Sequence, residues 1–153
     1  MRTLDRLRFR APADRVFTAA ADVERWPELL PHYRWVRLRE PSQSGGIVEM
    51  AAWRPFGPLR YPTWWVSRME IDRNRLQVRY RHIEGITRGM DVVWELVPTG
   101  TETDVTIIHE WSGPAWPVIG ALAADLVIGP VFIHGIASRT LAGLARHVEN
   151  DHG

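Results

Sequence analysis

Apolar and charged residues alternate from Leu4 to Arg10, with Leu7 and Phe9 set against Arg6, Arg8 and Arg10, and this period of two predicts a β-strand. The spacing then changes. Val16, Phe17 and Ala20 form an apolar stripe behind Ala11-Pro12-Ala13-Asp14, where Pro and Asp suit a helix N-terminus. A helix is therefore expected from Ala13. Pro27 lacks an N–H and biases Trp26 away from helical dihedrals, so a break is expected there. A second short helix, closed by Pro31, completes a helix–break–helix segment over Ala21–Tyr33 that carries a large indole.

From Tyr33 onward the period is again two. Strands are predicted over Arg34–Glu40, Ile47–Arg54, Tyr61–Ile71, Leu76–Ile83, Met90–Val97 and Asp104–Trp111. Turn residues separate them: Ser44-Gly45-Gly46, Pro55-Phe56-Gly57-Pro58, Asp72-Arg73-Asn74, Glu84-Gly85 and Pro98-Thr99-Gly100. Connections this short imply a meander of hairpins and an antiparallel sheet. Pro130 opens a final helix to about Glu149, in which Ile133, Ile136, Ala137, Leu141, Leu144 and Val148 recur at helical spacing. The expected order is one strand, two short helices, about six strands and one long helix, an α+β arrangement curled around a hydrophobic pocket.

The alternation also assigns faces. Trp65, Ser67, Met69 and Ile71 share the more apolar side of their strand, and Val66, Arg68 and Glu70 share the other. By the same test Leu76, Val78, Tyr80 and His82 face inward, as do Met90, Val92, Trp94 and Leu96, and Val105, Ile107, His109 and Trp111.

Composition narrows the chemistry. A chain of 153 residues, 45% hydrophobic and 24% charged, fits one stable domain over 1–153. Lys plus Arg is 19 against 18 for Asp plus Glu, and a net charge of +1 argues against nucleic acid as the main partner. The N-terminal arginines read as the wet face of an edge strand. The absence of cysteine excludes disulfides, thiolate catalysis and zinc–thiolate sites. Every basic residue except histidine is Arg, which excludes lysine Schiff-base chemistry. The start, Met1-Arg-Thr-Leu-Asp, has no apolar signal-peptide core, so the cytoplasm is the expected compartment. Eight tryptophans point to a generous core or to a pocket for a flat hydrophobic or aromatic ligand.

Trp116 to Ile133 is almost wholly apolar and about long enough to span a bilayer. Asp125 at its centre would cost roughly 2.5–3.5 kcal/mol there, and Pro117 and Pro130 interrupt it. A buried or pocket-gating helix is expected, with transient contact to a membrane or a carrier protein as the alternative.

The Ala21–Tyr33 stretch and the strand order together resemble the helix-grip (START, pollen-allergen-like, SRPBCC) superfamily. Within it the chain is most similar to the polyketide cyclase/dehydrase branch, on Asp22-Val-Glu-Arg-Trp-Pro-Glu-Leu-Leu with Tyr33, Trp65-Val-Ser-Arg, and Gly89-Met-Asp-Val-Val-Trp-Glu-Leu. The resemblance covers essentially the whole chain. It implies a curved antiparallel sheet of about seven strands wrapped around the C-terminal helix, with a pocket between them. It also implies the aldol closure and dehydration of a reactive polyketone, which needs a shaped cavity, a proton donor and a base, and no metal or redox cofactor. Carried over from that branch, Trp26, Tyr33 and Ser67 match pocket positions, and His134 or Thr140 would supply the polar group on the last helix. The branch's arginine, two residues beyond the Ser, is Met69 here. Arg68 should point outward unless a bulge rotates it.

The candidate catalytic residues are Tyr33, His82 and His109, since either imidazole sits on an inward face and can act as acid or base. The candidate ligand contacts are Trp26, Trp65, Ser67, Met69, Tyr80, Trp94, His134, Ala137 and Thr140. Trp53, Trp64 and Trp116 could join them from the rim. His32, His147 and His152 read as solvated. No histidine pair has metal-ligand spacing, and Ser67 has no elbow motif, so no metal and no serine nucleophile are expected. Two functions remain: an aromatase/cyclase-like enzyme, and a non-catalytic carrier of a lipid or quinone, which Met69 favours.

Overall fold

The computed structural model describes residues 2–56, 59–85, 87–112 and 130–150, except for the side chains of 54–56, 59, 61 and 130–132. Seven strands follow one another along the chain: β1 (Arg2–Phe9), β2 (Tyr33–Ser42), β3 (Gly45–Phe56), β4 (Leu59–Asp72), β5 (Gln77–Gly85), β6 (Asp91–Thr99) and β7 (Glu102–Glu110). Helices α1 (Ala13–Ala21) and α2 (Trp26–Leu29) lie between β1 and β2, joined by a 3-10 turn over Val23–Arg25, and α3 (Pro130–Asn150) is the last described element.

Each strand from β2 to β7 pairs antiparallel with the next, and β1 closes the order beside β7, giving β1-β7-β6-β5-β4-β3-β2. The short turns force this meander. Gly45 and Gly46 take φ of 136° and 127°, where an added Cβ would come within 2.1 Å of the Met69 carbonyl oxygen or 2.0 Å of that of Glu40. The β3–β4 hairpin is tighter than the turn residues predict. Pro55 and Phe56 stay in β3, opposite Arg60 and Leu59.

The helix–break–helix segment forms with its break displaced. The chain leaves helical geometry at Asp22 (φ −85°, ψ 63°), while Trp26 itself is helical at φ −55°, ψ −39°. Pro27 lies in the first turn of α2, where its missing N–H has no intrahelical acceptor to lose. Tertiary packing overrides the pre-proline bias. Trp26 is 2% exposed, and its Nε1 donates to the Ala19 carbonyl at 3.2 Å.

The concave face holds the core. Phe9 of β1, Val16, Phe17 and Ala20 of α1, and Leu141, Leu144 and Val148 of α3 pack together, with α3 lying chiefly against β1 and α1. Burying each large side chain contributes about 1.5–3 kcal/mol. The inward sets expected on β5, β6 and β7 do face this core, except that Leu76 sits in the preceding turn at φ 54°. On β4, Met69 and Ser67 are buried and Arg68 is exposed. Val66 is also fully buried, although it lies outside the concave cluster.

Candidate active site

A cavity of about 80 Å³ opens between the concave face and α3. Its walls come from every layer. Trp26 enters from α2, Tyr33 from β2, Trp65 from β4, Tyr80 and His82 from β5, Trp94 from β6, His109 from β7, and Ala137 and Thr140 from α3. Alternation in the strands and i, i+3 spacing in the helix bring residues 26 to 140 to one space.

The aromatic walls are interlocked. The Trp26 ring lies 5.3 Å from Tyr33, edge to face, and 5.5 Å from Trp94. Trp65 stacks on His82 with centroids 5.8 Å apart and planes 3° from parallel. Gly85 makes room for this stack. It faces Trp65 across the β4–β5 pair at φ 101°, and a Cβ there would lie 2.6 Å from the Trp64 carbonyl oxygen.

The polar groups are neutral and short of partners. Desolvation lowers the His82 pKa from 6.5 to about 3, with nearby His109 adding a smaller push, and lowers that of His109 to about 4. His82 Nδ1 lies 2.6 Å from Thr87 Oγ1. The Nδ1 of His109, the hydroxyl of Tyr80 and Oγ of Ser67 are buried with no hydrogen-bond partner among the described residues. Burial raises the Tyr33 hydroxyl to about 12, partly opposed by a hydrogen bond to Thr140. Burial, and then the neighbouring Tyr33, push Tyr80 upward as well.

Three expected contacts lie elsewhere. His134 faces outward on α3 and pairs with the buried carboxylate of Asp5, because the helix turns this position toward β1. Ser67 and Met69 face inward but are packed within the core and do not line the cavity. Trp64 does reach the cavity rim, whereas Trp53 stacks under Arg34 and Arg60 away from it. Trp116, His152 and most of the Trp116–Ile133 segment fall outside the described residues. His32, expected to be solvated, is 9% exposed, with Nε2 lying 2.9 Å from Thr140 Oγ1. Thr87 was not legible in the sequence. It lies in the turn after Gly85 and bears no motif. Among the described residues no group of three acidic or histidine side chains could hold a metal ion, and no helix is long and apolar enough to cross a membrane.

Residues 9–128 match the family described as polyketide cyclase / dehydrase and lipid transport. This chain belongs to that family. A Streptomyces cyaneus protein described as a polyketide cyclase is 32% identical over 120 residues, spanning 76% of this chain and 77% of the relative. The bifunctional cyclase/dehydratase of the actinorhodin polyketide synthase from Streptomyces coelicolor is 29% identical over 113 residues, 72% of this chain but 34% of that longer protein. The solved structure of the Zhui aromatase/cyclase from a Streptomyces species superposes with a TM-score of 0.85. That match covers 97% of this chain and 93% of the other at 19% identity, and it establishes the helix-grip fold.

The arginine that the resemblance implies two residues beyond Ser67 is Met69 here. A register shift does occur on β4–β5 between Val66 and Ser67, as Ser67 pairs with His82 instead of Ile83. It leaves Arg68 exposed, opposite Arg81. The extra residue lies in β5, so the β4 face is not rotated. Among the described residues, none that lines the cavity is an arginine.

Proposed function

We propose that the protein is an aromatase/cyclase-like enzyme that folds a polyketone in this cavity and directs its aldol closure and dehydration. The observation that carries the reading is the gathering, around one apolar and uncharged cavity, of two neutral imidazoles and two tyrosine hydroxyls. His82 or His109, unprotonated at neutral pH, can accept a carbon-bound proton flanked by ketones, a role worth typically about 10²–10⁴ in rate. A tyrosine hydroxyl can hold the enolate oxygen that forms, in a site where low polarity strengthens the bond. Trp26, Trp65 and Trp94 would press the chain into the folded conformer that brings the reacting carbons together.

The test is a reconstituted assay on a short polyketone, following rate and ring-closure products by mass spectrometry. Replacing Tyr33 by Phe, and His82 and His109 by Gln, should slow closure about 10²-fold or scatter its products. Unchanged rate and regiochemistry in all three variants would defeat the proposal.

One observation favours a second reading, non-catalytic binding of a lipid or quinone. Met69 is buried, Arg68 is exposed, and among the described residues no arginine lines the cavity to anchor an enolate. Native mass spectrometry of the purified protein, with extraction of whatever dissociates, separates the two. A defined bound lipid or quinone supports the carrier, and an empty chain that turns over a polyketone supports the enzyme.

A further inference from the structure

Strands β3 and β4 outrun their neighbours at one end. The last β2 partner of β3 is Tyr33, opposite Ala52, and the last β5 partner of β4 is Gly85, opposite Trp65. Beyond them Arg54 pairs with Tyr61, Pro55 with Arg60 and Phe56 with Leu59, so among the described strands this ribbon pairs only with itself. A two-stranded ribbon alone in water is marginal unless something covers it. Its sequence is as one-sided as its pairing. Between Glu49 and Glu70 there is no acidic residue, against three arginines and five aromatic residues. The ribbon starts at the cavity, since Thr63, Trp64 and Trp65 at its base all line it and Trp64 is 37% exposed.

The cations beside the ribbon are held in place without being neutralised. A bulge in β2 between Tyr33 and Trp35 turns both Arg34 and Trp35 to the outer face, because Tyr33 and Val36 on either side face the core. Arg34 then lies 4.8 Å from the Trp35 ring and 4.7 Å from that of Trp53, and Arg60 lies 4.5 Å from Trp53. Several other arginines of the sheet sit beside carboxylates, as Arg8 does with Asp104 and Arg81 with Asp91. Arg34 and Arg60 are exposed and have no carboxylate partner among the described residues. Stacking on an indole holds a guanidinium by its face and leaves free the N–H edge that forks onto a phosphate.

We propose that the β3–β4 ribbon, with Arg34 and Arg60 stacked on Trp53, docks the mouth of the cavity on an anionic phospholipid surface. Guanidiniums at the phosphates and indoles at the headgroup level are where these side chains settle in a membrane interface. A folded acidic partner would use the arginines but leave the exposed indole and the ribbon in water, whereas a lipid interface takes up all three. A ligand then passes between bilayer and cavity without crossing water, so the ligands this site serves are membrane-soluble. The inference holds whether the cavity turns its ligand over or only carries it.

Two measurements on the full chain test it, and neither depends on activity. The first is co-sedimentation with vesicles of phosphatidylcholine alone or mixed with phosphatidylglycerol. Binding is expected to the mixed vesicles and not to phosphatidylcholine alone. Near an anionic surface each arginine is worth about a factor of 5 in partitioning, so Arg34→Gln with Arg60→Gln should weaken binding about 25-fold. Arg15→Gln with Arg146→Gln removes the same charge from exposed positions on α1 and α3, and should stay within about 3-fold of wild type. Equal losses in the two double variants would reduce the effect to net charge and overturn the proposal, as would no binding to the mixed vesicles. Preferential binding of soluble polyglutamate would assign the surface to an acidic protein and overturn it too. The second measurement is quenching of tryptophan emission by lipid brominated just below the headgroup. Trp53→Phe, which keeps a ring under both arginines, should bind as wild type does but be quenched less. Equal quenching would keep Trp53 out of the bilayer and reject docking by this ribbon.

Discussion

Lowering the pH from 7 to 5 should destabilise this fold through two cavity histidines. In the unfolded chain a histidine titrates near 6.5, whereas folded His82 and His109 resist protonation until about 3 and about 4. Below pH 6.5 the unfolded state therefore binds protons that the native state refuses, so stability falls as pH falls. The loss begins at 6.5, grows down to the folded values and is absent above 7. At pH 5 each imidazole costs about 2 kcal/mol by this linkage, and the pair about 4 kcal/mol, set against a typical total of about 5–15 kcal/mol. Asp104 is held down to about 2 by its hydrogen bond to Arg8, so its contribution is lost only below 3.8. Urea unfolding followed by circular dichroism at pH 7, 6 and 5 measures the drop. In the double variant His82→Gln, His109→Gln it should shrink by more than half, the remainder coming from His32, which is lowered to about 4 by burial. An equal drop in wild type and double variant would show that these imidazoles are not desolvated in the native state, and would refute the argument.

Other substitutions probe the frame of the cavity. Gly85→Ala places a Cβ at φ 101° against the Trp64 carbonyl oxygen, and should cost about 1–3 kcal/mol in urea unfolding while shifting tryptophan emission as Trp65 leaves His82. Trp26→Ala removes a side chain 2% exposed from between Tyr33 and Trp94, and thermal unfolding should show a loss of about 3–5 kcal/mol. Met69→Arg introduces the arginine that the resemblance implies, but at a core position 5% exposed. A loss of about 3–5 kcal/mol is expected, and a well-folded, more active Met69→Arg protein would contradict the placement of Met69 outside the cavity.

Alternation made the sheet legible because a period of two fixes the face of every residue at once. It therefore separated Arg68 from Ser67 and Met69 before any coordinates. What it cannot supply is depth along a face. Ser67 and Tyr80 are both inward, and only the path of α3 and the twist of the sheet leave Tyr80 at the cavity and Ser67 beneath it. His134 was misplaced for a related reason. Helical spacing gives a stripe, but the neighbour that each flank meets, here Asp5 on β1, lies 129 residues away in sequence. His32 between Pro31 and Tyr33 has the local look of a wet connector, and its burial depends on Thr140, 108 residues distant. Trp26 shows the converse: a local bias from Pro27 was real but small beside the burial of an indole.

The sheet is open at both ends of its strand order, and the cationic residues of the outermost strands are all arginine: Arg2, Arg6 and Arg8 on β1, and Arg34, Arg37 and Arg39 on β2, against one acidic residue on each, Asp5 and Glu40. An unpaired strand edge invites a second copy to add its own strand, and like charge along the edge opposes that. Lysine would surrender this protection near pH 10, whereas guanidinium groups stay charged above about 12. The two edges should therefore go on repelling each other in alkaline solution, where a lysine-guarded sheet would begin to self-associate.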